Sequence, residues 1–415
     1  MRTAILALAV LGLAAGCGGN RPPDAAAAAG VDPALERVVE DWPLPATMPG
    51  SALPDLVGVQ GRTLLLSWTN SQAGRRHALQ FSSYDVASAR WERRPTTIAV
   101  GNSMFVNWAD TPHVMATRDG ALWAHWLQKS GDAPYAYDIM LATSRDGGGR
   151  WSTPVSPHAD GARVEHGFVS MWPRADGGLG IAWLDGRGTA DGGPMALRAT
   201  AVDAALRMEA ETEVDASVCD CCQTSDAVTA RGPLLVYRGR TPEEVRDILA
   251  TRLGPEGWTT PAPVHADGWV MAACPVNGPA VAAEGEEAVV AWYTAAGGRP
   301  EVRAAYSANA GDAFAAPIVL DAGEAVQGRV AVALADGQAW LLWLREDEGG
   351  QSLWLSRRSP DLATEYQRMQ VAAPAGRGRG TGFPQLAVAG GVAHVVWTDV
   401  VDGIPGLRGA RVVAR

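Results

Sequence analysis

The chain has 415 residues and a formal net charge of −10, with 16 Trp, 48 Gly and 27 Pro against only 5 Phe. This acidic balance, without any Lys/Arg run, excludes a nucleic-acid-binding surface. The length exceeds one ordinary globular core, yet no linker divides it, so repetition of a small unit is the alternative to two domains. A chain rich in Trp, Gly and Pro predicts many short strands and tight turns rather than long helices.

The first residues carry Arg2, an apolar stretch from Ala4 to Ala15, and then Leu13-Ala14-Ala15-Gly16-Cys17. The stretch is too short to cross a bilayer permanently and reads as a secretory signal ending in a bacterial lipobox, with Ala14 where the commonest lipobox has Leu. Residues 1–17 are thus expected to be a lipoprotein signal with Cys17 as the lipidated residue. Residues 18–40 form an Ala/Pro-rich tether, and 41–415 a single domain. The expected location is the cell envelope, outside the cytoplasm, with the lipid as the sole membrane contact.

From Pro112 to His158 one complete unit is legible. An alternating run (His113 to Thr117), a turn at Arg118-Asp119-Gly120, a second run ending in Trp126, a polar loop, a third run (Asp138 to Thr143), a Gly-rich turn and a short last strand follow in order. This pattern predicts a four-stranded antiparallel meander. Its Gly-rich turn, Ser144-Arg145-Asp146-Gly147-Gly148-Gly149-Arg150-Trp151, fits S-x-D-x-G-x-x-W. Asp and Ser can bond amides of their own turn, the glycines permit positive φ, and the Trp can pack the turn onto the sheet. The turn resembles the Asp-box of sialidase-like, BNR-repeat β-propellers. A degenerate copy runs from Ser307 to Phe314 with Asn309 for Asp.

The second-strand aromatic recurs as Trp68, Trp126, Trp183, Tyr237, Trp292, Trp343 and Trp397, every 51 to 58 residues. A period of this size, each unit opening with a strand and a Gly turn, predicts an all-β, seven-bladed β-propeller. Six blades, as in true sialidases, is the alternative. The seventh unit, from Pro384, has three strands before the chain ends, and Asp41-Trp42-Pro43-Leu44-Pro45 resembles fourth strands elsewhere. The N-terminal segment is therefore expected to complete the last blade and leave no free sheet edge.

The loops before each first strand and between second and third strands are expected to gather on one functional face. Cys219, Cys221 and Cys222 precede blade 4, and Cys274 holds the equivalent place before blade 5. In an exported protein these four predict disulfides, with Cys219–Cys274 or Cys222–Cys274 spanning the blades. A soft Cu(I) or Zn(II) site on the same cysteines, helped by His265 or His166, is the alternative; no other cofactor is called for.

The sialidase resemblance implies three arginines on a substrate carboxylate, an Asp acid/base and a Tyr nucleophile helped by Glu. Candidates are Arg174, Asp185, Arg238, Asp247, Tyr293 and Arg329 for catalysis, and His166, Trp172, Arg174, Arg238, Arg240, Asn277 and Arg329 for ligand binding. The Arg-Ile-Pro signature that precedes the first sialidase arginine is absent. Two functions stay open: a monomeric propeller that binds a glycan or an envelope protein, and an exo-glycosidase of sialidase type acting on terminal sialic acid or a related acidic sugar.

Overall fold

The computed structural model describes residues 35–71 and 76–415; the signal and Cys17 lie outside the described residues. Seven antiparallel sheets follow one another in chain order. Blade 3 shows the complete unit: His166–Pro173, Leu179–Asp185, Met195–Val202 and Thr212–Val218 pair in sequence from the innermost strand outward. The seven sheets replace the six-bladed alternative.

Each blade buries both faces against its neighbours, which is why the second strands are nearly continuous apolar runs. Trp68, Trp183, Tyr237, Trp292 and Trp343 are at most 1% exposed, and Trp126 is also buried. Trp397 is only half-buried, a departure from the expected burial of all seven.

Arg37–Asp41 pairs antiparallel with Ile404–Ala414, from Arg37 opposite Ala414 to Asp41 opposite Ala410. The Trp42 N–H donates to the Gly409 carbonyl at 3.0 Å, and its ring packs edge-on against His394 of the same blade. The N-terminal strand therefore closes the ring by main-chain bonds. It begins at Arg37, a few residues before the expected boundary at 41, because the whole alternating segment Arg-Val-Val-Glu-Asp finds partners on the last strand.

The Ser144 turn has the expected internal bonding. Ser144 Oγ accepts from the Gly148 N–H at 2.8 Å and Asp146 Oδ1 from the Arg150 N–H at 2.8 Å. Gly148 has φ +91°, and a Cβ there would lie 2.2 Å from the Phe81 ring, so glycine is required twice over. Ser307 and Asn309 make the same two bonds, to Gly311 and Ala313.

Two features position the site. First, the aromatic of one blade donates to an Asp in or just after the outer strand of the blade before: Tyr237 Oη to Asp215 at 2.8 Å, Trp292 Nε1 to Asp267 at 2.7 Å, and Trp343 Nε1 to Asp321 at 2.7 Å. Second, the innermost strand of blade 2 is broken into Met104–Phe105 and Val114–Ala116, which pair with the same neighbour, Leu122–Lys129. Residues 106–113 leave the sheet between them and cross the axis. Trp108 stacks on Phe383 of the loop into blade 7, and the Ala109 carbonyl accepts from Gln223 in the loop before blade 4. The expected fourth strand of blade 2 is reduced to one bridge, Leu141 with Val155.

Candidate functional site

The antiparallel order puts turns between first and second strands on one face and the blade-entry and second-to-third loops on the other. Arg174 lies in a first-to-second turn, paired with Asp176 at 3.0 Å and Glu209 at 2.9 Å, so it sits on the opposite face from the predicted site. Trp172 is core, buried edge-on against Trp258.

Arg238 is buried, and its guanidinium donates to the carbonyls of Asn277, Arg246 and Tyr293 while lying over the Trp269 ring. Arg329 is buried as well, donating to Thr381 Oγ1 and the Gly382 carbonyl and stacked on Trp108. These cations satisfy main-chain acceptors where blades meet, which leaves neither free to clamp a carboxylate. Asn277 Oδ1 caps the Arg329 N–H, Asp247 caps the N–H groups of Gly268 and Trp269, and half-buried Tyr293 packs edge-on against Trp269. Asp185 is buried and held by Trp183 and Arg187. Arg240, on the loop-bearing face, is partly open to solvent and paired with Asp220 and Glu244; Asp247, in the same loop, is partly exposed as well.

The cysteines are brought together, with a different partner from either one expected. Cys221 bonds to Cys274 across blades 4 and 5, while Cys219 and Cys222 are buried free thiols. The sulfurs of Cys219, Cys221 and Cys222 lie within 4.8 Å of one another. A four-thiolate site would require the bridge to be reduced. Burial pushes the Cys219 thiol up, but a hydrogen bond with Cys222, the Cys221 N–H and the charges of Arg238 and Arg246 outweigh it and lower it; burial raises Cys222.

What the structure assembles instead is a wedge between blades 2 and 3 that no sequence motif marked. Tyr137, at the start of the third strand of blade 2, is buried and stacked on Phe105 at 4.2 Å. Its hydroxyl lies 2.7 Å from Glu165 Oε1 and 3.2 Å from Asp110 Oδ2. Asp110 comes from the segment that crosses the axis, and its other oxygen accepts from the Phe168 N–H at 2.9 Å. Phe168 has φ +53° at a bulge in the innermost strand of blade 3. A Cβ on Gly167 would lie 2.1 Å from Asp110, so His166-Gly167-Phe168 is shaped to receive this carboxylate. The equivalent N–H of Arg329 in blade 6 is capped by Asn277 and that of Leu53 in blade 1 by Thr398, so the acid is this blade's version of a shared cap.

Burial raises both Asp110 and Glu165 to about 7, against the Phe168 N–H on the former and the Tyr137 hydroxyl on the latter. Toward the axis, Asp226 is also raised to about 7 by burial. Burial opposes a charge on His113, but Asp55, 3.1 Å from its Nδ1, together with Asp110 and Asp226, raises it overall. Outward, the buried rings of His158 and His166 stack at 3.8 Å beside Asp138, Asp160 and Asp185. Burial, with His166 next to it, lowers His158. Such a set of near-neutral acids around one hydroxyl can hold and pass a proton at ordinary pH.

At the solvent end, a single parallel bridge joins Tyr137 to Glu165; Tyr135, in the turn just before it, is 60% exposed, and Arg163, two residues before Glu165, is exposed.

No family model matches the chain, and no curated protein matches it in sequence. Among solved structures it is similar to the polysaccharide lyase Uly1, with a TM-score of 0.52 and 9% identity over 86% of this chain and 89% of that one. It is also similar to the endosialidase of phage phi92, with a TM-score of 0.51 and 8% identity over 92% and 70%. At these identities the likeness is one of fold: the chain shares a propeller with carbohydrate-active proteins.

Proposed function

We propose that this chain is an exported, lipid-anchored propeller that binds an acidic glycan on its loop-bearing face, at the rim between blades 2 and 3. The observation that carries this reading is a pair of exposed side chains, Tyr135 in the turn before Tyr137 and Arg163 two residues before Glu165, each next to the single bridge that joins Tyr137 to Glu165. A flat ring offers a face to a pyranose, an arginine takes a carboxylate or sulfate in fork geometry, and a carboxyl accepts ring hydroxyls. Export is supported by the signal-like first residues and by the Cys221–Cys274 bridge, a bond that persists in oxidising compartments.

The test is a polysaccharide array probed with the mature chain and with Tyr135→Ala and Arg163→Ala. Both variants should lose an acidic glycan that the parent retains, each by roughly tenfold, the worth of one good contact of about 1.4 kcal/mol. Binding that survives both changes, or that is equal for neutral and acidic glycans, overturns the reading.

A second reading, an exo-glycosidase, is favoured by the Tyr137–Glu165–Asp110 set. Glu165 and Asp110, raised to about 7 by burial, are carboxyls that can give or take a proton at ordinary pH, while the buried Tyr137 hydroxyl, pushed well above its ordinary range by burial and by those two carboxyls, positions them. Release of a terminal acidic sugar, abolished by Glu165→Gln while binding persists, would establish it. Retention of the bound glycan unchanged supports the binding reading.

A further inference from the structure

Between blades 2 and 3 two buried imidazoles share one carboxylate. His158 Nδ1 lies 3.3 Å from Asp160 Oδ2 and His166 Nε2 lies 3.2 Å from the same atom. Asp160 is fixed in turn by the Ala162 N–H at 2.7 Å and by Arg187 at 3.1 Å. Each ring directs one nitrogen at Asp160; the Ile139 N–H donates to His158 Nε2, which puts that ring's lone pair there, and His166 Nδ1 faces the Tyr137 carbonyl and Asp138 Oδ1, so a proton on it is the one a metal would displace. Those two atoms turn toward Asp138: His166 Nδ1 is 3.5 Å from Asp138 Oδ1. Asp138 Oδ1 is buried and accepts no hydrogen bond among the described residues. One ligand atom from each of Asp138, His158 and His166 lies within 4.8 Å of the other two.

We infer that Asp138, His158 and His166 form a site for a divalent transition metal, best suited to zinc, with Asp160 as the carboxylate that orients both histidines. Two imidazoles and one carboxylate are a zinc donor set, and three protein ligands leave a position open to solvent or substrate. Asp138, with 34% of its side chain exposed, is the most accessible of the three ligands. A carboxylate behind a ligating histidine fixes its tautomer and raises its basicity, and here one carboxylate does so for two rings. The competing contacts are weak: the Ile139 N–H reaches His158 Nε2 at 3.4 Å, and the Tyr137 carbonyl lies 3.3 Å from His166 Nδ1. The neighbouring set Asp160, His166 and Asp185 is not a second site, because the Arg187 guanidinium already lies on it, 2.7 Å from Asp185 and 2.8 Å from Glu211.

This inference is independent of the glycan reading. It is tested on the mature, oxidised chain stripped with a chelator and titrated with Zn2+ by calorimetry, and then with Co2+ by absorption. One equivalent of zinc should bind. The cobalt form should show visible d–d bands without the near-ultraviolet band of a cobalt–thiolate bond. His158→Gln should abolish binding and Asp138→Asn should weaken it. Asp160→Asn should weaken it by about 10- to 100-fold, the usual cost of a lost orienting partner. His166 is fully buried, so its variants are not needed. Absence of zinc binding by the parent overturns the inference. So does a thiolate band that disappears in Cys219→Ser, which would put the metal on the cysteines, and so does parent-like affinity in folded His158→Gln and Asp138→Asn.

Discussion

The boundaries between blades 3 and 6 and the boundary between blades 2 and 3 solve one packing problem in two ways. At the former, a buried aromatic sends a single polar atom to an aspartate of the preceding blade, as Trp343 does to Asp321. Asp321 also takes Arg345 at 2.6 Å, and the arrangement is closed, each polar group used. At the latter, the aromatic Trp183 turns to Asp185 of its own blade. The outer-strand side instead supplies Asp160, to which two histidines and an arginine converge. Tyr137, Glu165 and Asp110 lie beside them with near-neutral acids. A polar contact repeated at three successive boundaries is there to hold blades together. A boundary that gathers more titratable groups than packing needs is where chemistry or binding is placed.

The sharpest way to break this comparison is at Arg238, in the structural half. Arg238→Ala leaves the buried carbonyls of Asn277, Arg246 and Tyr293 without their donor and should cost about 3–5 kcal/mol in urea unfolding. A loss below about 1 kcal/mol would mean that these boundaries tolerate unpaired groups and are no stiffer than the other. Next, Cys274→Ala opens the one bridge between blades 4 and 5 and should cost about 2–4 kcal/mol under oxidising conditions and nothing after reduction. Peptide mapping without reductant should recover Cys221 linked to Cys274, and its recovery linked to Cys219 or Cys222 would refute the pairing.

A smaller effect is expected at the aromatic contacts themselves. Asp321→Ala removes the acceptor of Trp343 and Arg345 and should cost about 1.5–3 kcal/mol, while Asp321→Asn, which keeps an acceptor oxygen and loses only the charge, should cost about 1 kcal/mol. Equal losses would assign the effect to the charge on Arg345 rather than to the Trp343 bond.

A pH-dependent effect belongs to the other boundary. Glu165 holds its proton up to about 7 in the fold but only to the ordinary carboxylate range when unfolded. The folded state thus binds the proton more tightly, and this contribution is complete below about pH 4.5 and is lost as pH rises toward 7. Glu165→Gln should therefore gain stability relative to the parent across that window and run parallel to it above. A constant difference from pH 4 to 8 would show that Glu165 titrates normally and that the wedge has no special acid.

Much of the architecture was legible because it is periodic. A recurring aromatic, a Gly turn and an unpaired final meander are local facts, and Trp42 matches the other fourth strands in sequence alone. The site was less so. Arg238 and Arg329 looked like ligand clamps because an arginine in a loop carries no mark of burial, and only packing aims their guanidinium groups at carbonyls. Tyr137 and Glu165 sit in ordinary strand and loop text, and His166-Gly167-Phe168 gave one hint, a glycine before a bulged residue, that gains meaning only when Asp110 arrives.

By itself, then, the sequence determined the class of fold and the closing segment, and pointed to seven blades with six as the alternative, because repeated short-range patterns of burial and turn chemistry specify a meander wherever they occur. Tertiary structure alone decided which face each arginine occupies, which cysteine Cys274 meets, and that residues 106–113 cross the axis to bring Asp110 to Tyr137. Those contacts join residues distant in sequence, and their energy comes from burial and hydrogen bonding that exist only once neighbouring blades have closed on one another.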